Sequence, residues 1–390
     1  MRPPAAPSVL WICLLLGLGA AACAPRVKPA GGGGPADPDS GGGGEAQVVA
    51  VVTTASQDYA TGAFSTVRLD GWAVDDGLFL TSGDPVVRVS GGVVWQINRY
   101  GTDTLRAYAP GAWSRPVFEV STGQMSNPVD AEVCGDELWV ALYEEDALRR
   151  LDPETGLVRG SFDLSPWADG DGVGPEPVAL LSGDGRLFVA LQRRDRADSW
   201  ARRAGVVLAI DCATASLQAA WPVGGNPKLH RGGGEDGLLL TAEPIEGEGG
   251  SAGLYLLDPD APDGDPDAAR LVFALPADQP NAGPAAAADG RAALIAYRDD
   301  WQSVVWCVDL RGAEPRLLRE DSAFYNAAAP APNGELWLSS HWGWASPDVD
   351  QTGLWVVDPV ACALQNPDAP VGLGMGPTAI DFVALPVVPG

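Results

Sequence analysis

Three short signals recur along this chain, each of them seven times, and they interleave. The first is an aliphatic residue followed by Asp and a turn: Leu69-Asp70, Leu151-Asp152, Ile210-Asp211, Leu257-Asp258, Val308-Asp309 and Val357-Asp358, with a degenerate copy at Tyr108-Ala109-Pro110. The second is a turn residue before Pro, or once Ala, leading into a short apolar stretch. Its copies are Asp84-Pro85, Asn127-Pro128, Glu176-Pro177, Asn226-Pro227, Gly283-Pro284, Asn326-Ala327 and Gly376-Pro377. The third is a Gly-containing turn into an apolar run, as in GGVVWQI (91–97), GDELWVAL (135–142) and NGELWLSS (333–340), with a seventh copy, VVAVVTT (48–54), at the start of the body. Self-similarity at such a period constrains a fold more than any single motif. Each unit must be one supersecondary element that buries its apolar face against its neighbours.

The apolar runs are rich in Val, Leu, Trp and Phe and bounded by Gly and Asp, and no long helical period intervenes. That is strand and hairpin chemistry. Each unit holds four short strands: one after the Pro, one in the Trp/Val/Leu run, one ending at the aliphatic-Asp pair, and one after the turn that follows. Residues 46–386 divided among seven units give about 49 residues each, and four strands per unit of about 40–50 residues is the arithmetic of a β-propeller. The first unit lacks its Pro-led strand, while the C-terminal stretch 376–383 is a Pro-led strand with nothing after it. The expected fold is therefore all-β: a seven-bladed β-propeller over 46–386, closed by pairing of the N- and C-terminal strands in one blade, with 387–390 as a tail. Closure removes the open sheet edges that invite aggregation.

The segments LWVALYEEDALRRLDPETGLVRGSFDL (138–164), QINRYGTDTLRAYAP (96–110) and GLWVVDPVACAL (353–364) resemble the repeats of YVTN-type and NHL-type bacterial β-propellers. The resemblance covers most of 46–386 and implies an exported seven-bladed ring, with no chemistry attached to its motifs. The chain departs from that pattern in its uneven repeat length and in an insert at 193–205.

The N-terminal stretch MRPPAAPSVLWICLLLGLGAAACAPR has Arg2, an apolar run from Val9 to Gly19 and small residues at 20–22. This is the layout of a signal peptide over 1–22. The run is shorter than the roughly 20 residues that span a bilayer. Cys23 follows directly, which resembles a bacterial lipoprotein signal and implies lipidation of Cys23, although Ala20 stands where the pattern has Leu. With Ala24 next, the resemblance implies the outer membrane of the cell envelope. Residues 24–45 hold two four-glycine runs and too few apolar side chains to fold. So 23–45 reads as a lipidated Cys and a disordered tether with a reach of about 26 Å. Cys134, Cys212, Cys307 and Cys362 remain in the body. In an exported protein they form two disulfides, by one of three connectivities, or stay as buried thiols.

In a propeller the first strand of each blade lines the central channel. The loops entering it share a face with those between second and third strands. Five oxygen-bearing residues before inner strands, Asp84, Asn127, Glu176, Asn226 and Asn326, are expected near the channel mouth. A ring of oxygen donors suits Ca²⁺, and gluconolactonase-like and paraoxonase-like propellers hold a catalytic metal with a similar set. The same residue types also initiate turns before Pro. The second-to-third-strand loops carry the Arg and aromatic side chains of a binding surface: Arg99, Tyr100, Arg193, Arg194, Trp301, His341, Trp342 and Trp344.

The formal net charge of −26 argues against attachment to nucleic-acid phosphate or anionic lipid headgroups. It leaves a cationic partner or Ca²⁺ in view. Catalytic signatures are weak: there are two His, no G-x-S-x-G elbow and no Walker A lysine. The sequence thus points to a monomeric, non-enzymatic binding module for an unidentified protein or small molecule, joined to the membrane only through its lipid. A calcium-dependent lactonase-like hydrolase, with its metal at the channel mouth, is the alternative.

Overall fold

The computed structural model describes residues 46–169, 172–232, 237–342 and 349–387. The expected signal peptide, Cys23, the tether, Trp344 and residues 388–390 of the tail lie outside these residues.

The chain first lays down β1 (Val48–Ala55), β2 (Gly62–Arg68) and β3 (Val74–Thr81). Six blades follow, each built from the channel outward. Blade 2 is β4 (Pro85–Ser90), β5 (Val93–Asn98), β6 (Thr104–Tyr108) and β7 (Phe118–Ser121), and blade 3 is β8 (Pro128–Cys134), β9 (Glu137–Leu142), β10 (Ala147–Leu151) and β11 (Val158–Asp163). Blade 4 is β12 (Pro177–Gly183), β13 (Arg186–Leu191), β14 (Gly205–Asp211) and β15 (Leu217–Val223). Blade 5 is β16 (Gly225–His230), β17 (Leu238–Glu243), β18 (Gly253–Leu257) and β19 (Ala269–Ala274). Blade 6 is β20 (Asn281–Ala288), β21 (Arg291–Tyr297), β22 (Ser303–Asp309) and β23 (Arg316–Asp321), and blade 7 is β24 (Phe324–Pro330), β25 (Leu336–His341), β26 (Gly353–Asp358) and β27 (Ala363–Leu364). Finally β28 (Gly376–Ala384) returns to the inner edge of β1, giving blade 1 the order β28-β1-β2-β3. The seven-bladed propeller and its closure are as the repeats predict.

Local chemistry explains the repeat. The recurring Asp folds its side chain onto the following turn. Asp152 accepts the amides of Glu154 and Thr155 at 3.0 and 2.9 Å, Asp211 those of Ala213 and Thr214 at 3.0 and 2.8 Å, and Asp309 that of Arg311 at 2.8 Å. An Asp that bonds the backbone two or three residues on fixes the turn without help from elsewhere. In the degenerate copy a backbone bond from the Ala112 amide to the Ala109 carbonyl does this instead. The second strands are buried on both faces, because a blade stacks on both sides. Trp95, Trp139 and Trp337 are fully buried there. Apolar clusters fill each blade-to-blade interface; one packs Trp139 and Leu148 of blade 3 on Leu187 and Leu208 of blade 4.

Inner strands have no strand partner on their channel side, so their free amides need other acceptors. Side chains of the preceding blade supply them. Asp381 of blade 1 accepts the Val89 amide at 2.7 Å, Ser90 of blade 2 that of Val133 at 2.9 Å, and Asp130 of blade 3 that of Leu180 at 2.8 Å. These bonds join the ring at its centre. Two disulfides join it further out, Cys134–Cys212 between blades 3 and 4 and Cys307–Cys362 between blades 6 and 7. Each closes a long loop and stabilises the fold by roughly 2–4 kcal/mol.

Candidate functional site

One end of the channel is irregular in the same way in six of the seven blades, with blade 2 keeping an unbroken register. The ladder between first and second strands shifts register at Pro128/Asp130, Pro177/Ala179, Gly225/Lys228, Ala282/Ala285 and Tyr325/Ala327, and on β1 at Thr53/Thr54. Asn127, Glu176 and Asn226, just ahead of three of these shifts, take φ of 48°, 48° and 49°. A bulge bends its strand and re-aims the side chains beside it. Repeated blade after blade, it shapes a mouth.

Among the described residues the exposed aromatic side chains are Tyr59, Tyr100, Trp200 and Trp301, and all four lie in second-to-third-strand loops on this mouth. All four also have left-handed backbones, at φ of 54°, 46°, 65° and 65°. A bulky residue at positive φ is strained by about 1–3 kcal/mol and persists only where its surroundings hold it. For three of the four they do: Tyr59 stacks on His341 with ring centroids 5.4 Å apart, Arg196 lies 5.1 Å over the Trp200 ring, and Trp301 meets Phe324 edge-on at 6.4 Å, while Tyr100 stands 74% exposed.

Below the mouth lies a cavity of about 680 Å³, walled by Val86, Val129, Val178, Ala327 and Ala328 of the inner strands. A second cavity of about 380 Å³ adjoins it and shares Gln192, Arg194, Lys228 and Asn326 with it. At the end remote from the mouth an ion-pair network crosses the channel. Arg231 of blade 5 reaches Asp381 of blade 1 at 3.2 Å, the Val89 carbonyl of blade 2 at 2.8 Å and Glu132 of blade 3 at 3.3 Å. Beside it Arg88 forms a two-pronged pair with Asp130, both bonds 2.7 Å. Burial works against the Arg88 charge, and Asp130 more than offsets it, so the guanidinium pKa stands above its ordinary value. Burial likewise raises the Glu132 carboxyl, against the pull of Arg231.

His230 also faces the channel. Its Nδ1 accepts the Ala285 amide at 3.4 Å, which places the proton on Nε2, 2.8 Å from the Thr241 hydroxyl. Burial first, then Lys228 and Arg88, depress its pKa to about 3. Below the free-histidine pKa of about 6.5 the unfolded chain takes up a proton that the folded chain refuses. Stability therefore falls with pH by about 1.4 kcal/mol per unit from this residue. Urea denaturation at pH 7 and pH 5 checks this. His230→Gln is expected to lose about 2 kcal/mol less than the wild type across that interval, and equal losses would contradict the neutral His230.

The residues expected from sequence fall into three groups. Tyr100, Arg99 and Arg194 line the main cavity, and Trp301 and Arg194 the second one. Arg99 is tied to Asp84 at 2.5 Å. His341 is buried, covered by Tyr59 and by Gly376, where a Cβ would stand 2.5 Å from its ring. Trp342 lies against it in a T-shape at 4.7 Å. Arg193 turns away from both cavities. Its guanidinium donates to the Trp167 and Ala204 carbonyls at 2.8 and 3.1 Å and pins the 193–205 insert. Trp344 lies outside the described residues.

The five oxygen-bearing residues are held within single blades or their connecting loops. Glu176 is fully buried and binds the Arg194 amide and Arg196 at 2.8 and 2.7 Å. The Asn226 amide donates to Glu243 at 2.8 Å, Asn326 accepts from Ser339 at 2.6 Å, and the Asn127 amide nitrogen of the backbone donates to Asp103 at 3.0 Å. With Asp84 held by Arg99, these groups leave few free oxygens against the 6–8 that Ca²⁺ takes. Among the described residues no three His, Cys, Asp or Glu side chains converge as a cation site. Lys228, His230, Arg231, Arg88, Asp130, Glu132 and Asp381 were not expected as site residues. The signal for them was a charge set within an apolar inner strand.

No protein-family model matches the chain, and no curated protein matches its sequence. Its fold is shared with many solved structures. A periplasmic gluconolactonase from Pseudomonas aeruginosa, PpgL, is 17% identical with a TM-score of 0.60, over 87% of this chain and 100% of that one. AztD from Citrobacter koseri is 11% identical with a TM-score of 0.50, over 88% and 100%. The β-propeller domain of Cps50 (Swd1) from Myceliophteria thermophila is 13% identical with a TM-score of 0.51, over 75% and 94%. At such identities the likeness is one of fold.

Proposed function

We propose that this chain is an exported, lipid-anchored, monomeric propeller of the YVTN/NHL kind that binds its partner at the channel mouth without transforming it. The observation that carries this reading is the set of four exposed aromatics, all on one face and all on strained backbones. Exposed aromatic side chains held rigid on a scaffold of loops are what recognition is built from. Two disulfides support export, since such bonds persist in oxidising compartments. The anchor at Cys23 would leave the ring free to present that face at the end of its tether.

Two variants test the reading. In the first, Tyr59, Tyr100, Trp200 and Trp301 become Ala. In the second, Leu157 and Val360, exposed in turns of the opposite face, become Ala. Native mass spectrometry of protein released from envelopes is expected to show a bound species in the wild type and in the second variant, and none in the first. Loss in the second variant alone would overturn the assignment of the face. Cys23→Ser is expected to move the protein from the membrane pellet to the soluble fraction, and unchanged pelleting would sink the anchor. The calcium-dependent lactonase-like hydrolase is the second reading. It rests on the side-chain oxygens of Asn127 and Asn226, which are buried without a partner, and metal analysis with a lactone hydrolysis screen tests it.

A further inference from the structure

We propose that the channel holds an oxyanion site, in which Lys228 and Arg194 bind the carboxylate or phosphate group of a small polyhydroxylated ligand whose body lies against Asn226, Gln192 and Trp301. This names the ligand class for the channel reading above and rests on it.

Around the channel, cations are paired: Arg88 with Asp130, Arg231 with Glu132 and Asp381, Arg99 with Asp84, Arg196 with Glu144 and Glu176, and Arg202 with Glu243. Lys228 and Arg194 are the exceptions. Among the described residues, neither has a carboxylate within ion-pair distance. Among the described residues the Lys228 ammonium donates to the Ala282 carbonyl alone, at 2.9 Å. Among the described residues the Arg194 side chain has no hydrogen-bond acceptor, and its Nε is buried without a partner. Both residues line both cavities. Burial lowers the Lys228 pKa, the Glu243 charge raises it in part, and the Arg194 charge lowers it by less than Glu243 raises it. Glu243, the acid lining the second cavity, is matched by Arg202 at 3.1 Å and by Asn226 at 2.8 Å.

A chain of net charge −26 has acids in excess to place beside any cation it buries. Lys228 and Arg194 are both half-buried, and a charge drawn partly out of water without a counter-charge is costly, a cost that a charge-assisted bond to an oxyanion relieves. A second, independent observation points to the same space. Asn226 is 5% exposed and lines the second cavity, and its side-chain oxygen has no donor. Gln192, 8% exposed, shares both cavities. A buried acceptor such as the Asn226 oxygen calls for a hydroxyl or amine donor on the occupant. Trp301, half-exposed on the same wall, offers a flat apolar face. An anionic group and several hydroxyls on one small body satisfy all of these groups together.

Calorimetry with four probes tests the inference: D-glucuronate, D-glucose 1-phosphate, neutral D-glucose and cationic D-glucosamine. The two anions are expected to bind at least about tenfold more tightly than glucose or glucosamine, and their ratio tells carboxylate from phosphate. Lys228→Met and Arg194→Gln are each expected to weaken anion binding by about tenfold or more and to leave glucose unchanged. Heat-unfolding midpoints at or near that of the wild type confirm that the variants fold, since each removes a half-buried charge with no ion-pair partner among the described residues. Anions binding no better than glucose, or unchanged in both variants, or failing to bind at about 10 mM, would overturn the oxyanion site. Ala328→Trp, which fills the channel, separates the two claims. If anion binding survives it, the channel reading itself falls. If a neutral probe binds and Ala328→Trp abolishes that binding, the channel stands and the oxyanion site falls.

Discussion

A chain that stops before Gly376 is expected to lose its soluble, cooperatively folded ring. Deleting β28 strips β1 of its partner along the whole register from Val48↔Ala384 to Ala55↔Gly376. It also opens two interfaces at once: Ile380 and Phe382 pack with Trp337 of blade 7, and Ala379 and Val383 pack with Val87 and Val94 of blade 2. Each large buried apolar side chain contributes about 1.5–3 kcal/mol. Losing Ile380, Phe382 and Val383 alone removes an amount comparable to the whole stability of about 5–15 kcal/mol that domains have. The loss of Asp381 adds to this, since it leaves the Val89 amide without its acceptor and Arg231 without one of its partners. The exposed edge of β1 then offers itself to other chains. Gel filtration and thermal unfolding of residues 46–375 check the outcome. A soluble monomer with an unchanged melting midpoint would contradict closure by this strand.

Asp130→Ala is expected to destabilise the ring by about 3–5 kcal/mol. The carboxylate is 1% exposed and takes four donors: both nitrogens of the Arg88 pair and the amides of Leu180 and Ala131. Removing it leaves the half-buried Arg88 without its ion-pair partner, with only the more distant Asp381 and Glu132 acting on it, and the Leu180 amide without an acceptor, penalties that fall where blades 2, 3 and 4 meet the channel. The double variant Arg88→Met with Asp130→Ala removes the orphaned charge. It is expected to recover part of the loss, which is the signature of a buried pair in a mutant cycle. Urea denaturation measures all three variants. A single Asp130→Ala variant within about 1 kcal/mol of the wild type would place the pair outside the structural core.

The architecture was legible because its causes are local. Asp152 caps its own turn, Trp139 marks a strand buried on both faces, and the Pro-led stretch at 376 has no successor. Each of these is visible within ten residues of sequence. The floor of the channel was not legible for the opposite reason. Arg231 meets Glu132, Val89 and Asp381 across 99, 142 and 150 residues, and nothing near position 231 announces those partners. Arg193 and Arg194 make the point within one dipeptide. They are alike in the sequence, yet a φ of 52° at Arg193 turns one side chain into the insert while its neighbour lines the cavity. His341 looked like a loop residue available to a ligand. The close approach of Gly376 and the stack of Tyr59 bury it instead. Bulk charge does not carry over to the channel. A net charge of −26 suggests a cationic partner, but net charge describes the outer surface, and the unmatched groups inside the channel are cations.

The proposed recognition site lies inside the ring, between the strained aromatics of the mouth and the ion pairs of the floor. The most direct measurement is a crystal structure of the body soaked with D-glucuronate or D-glucose 1-phosphate. The predicted result is ligand density within hydrogen-bonding distance of Lys228 and Arg194 and in contact with Trp301, with the Arg231 pairs intact beneath it. Density on the opposite face, around the Asp152 and Asp211 turns, with the channel holding only water, would contradict the account.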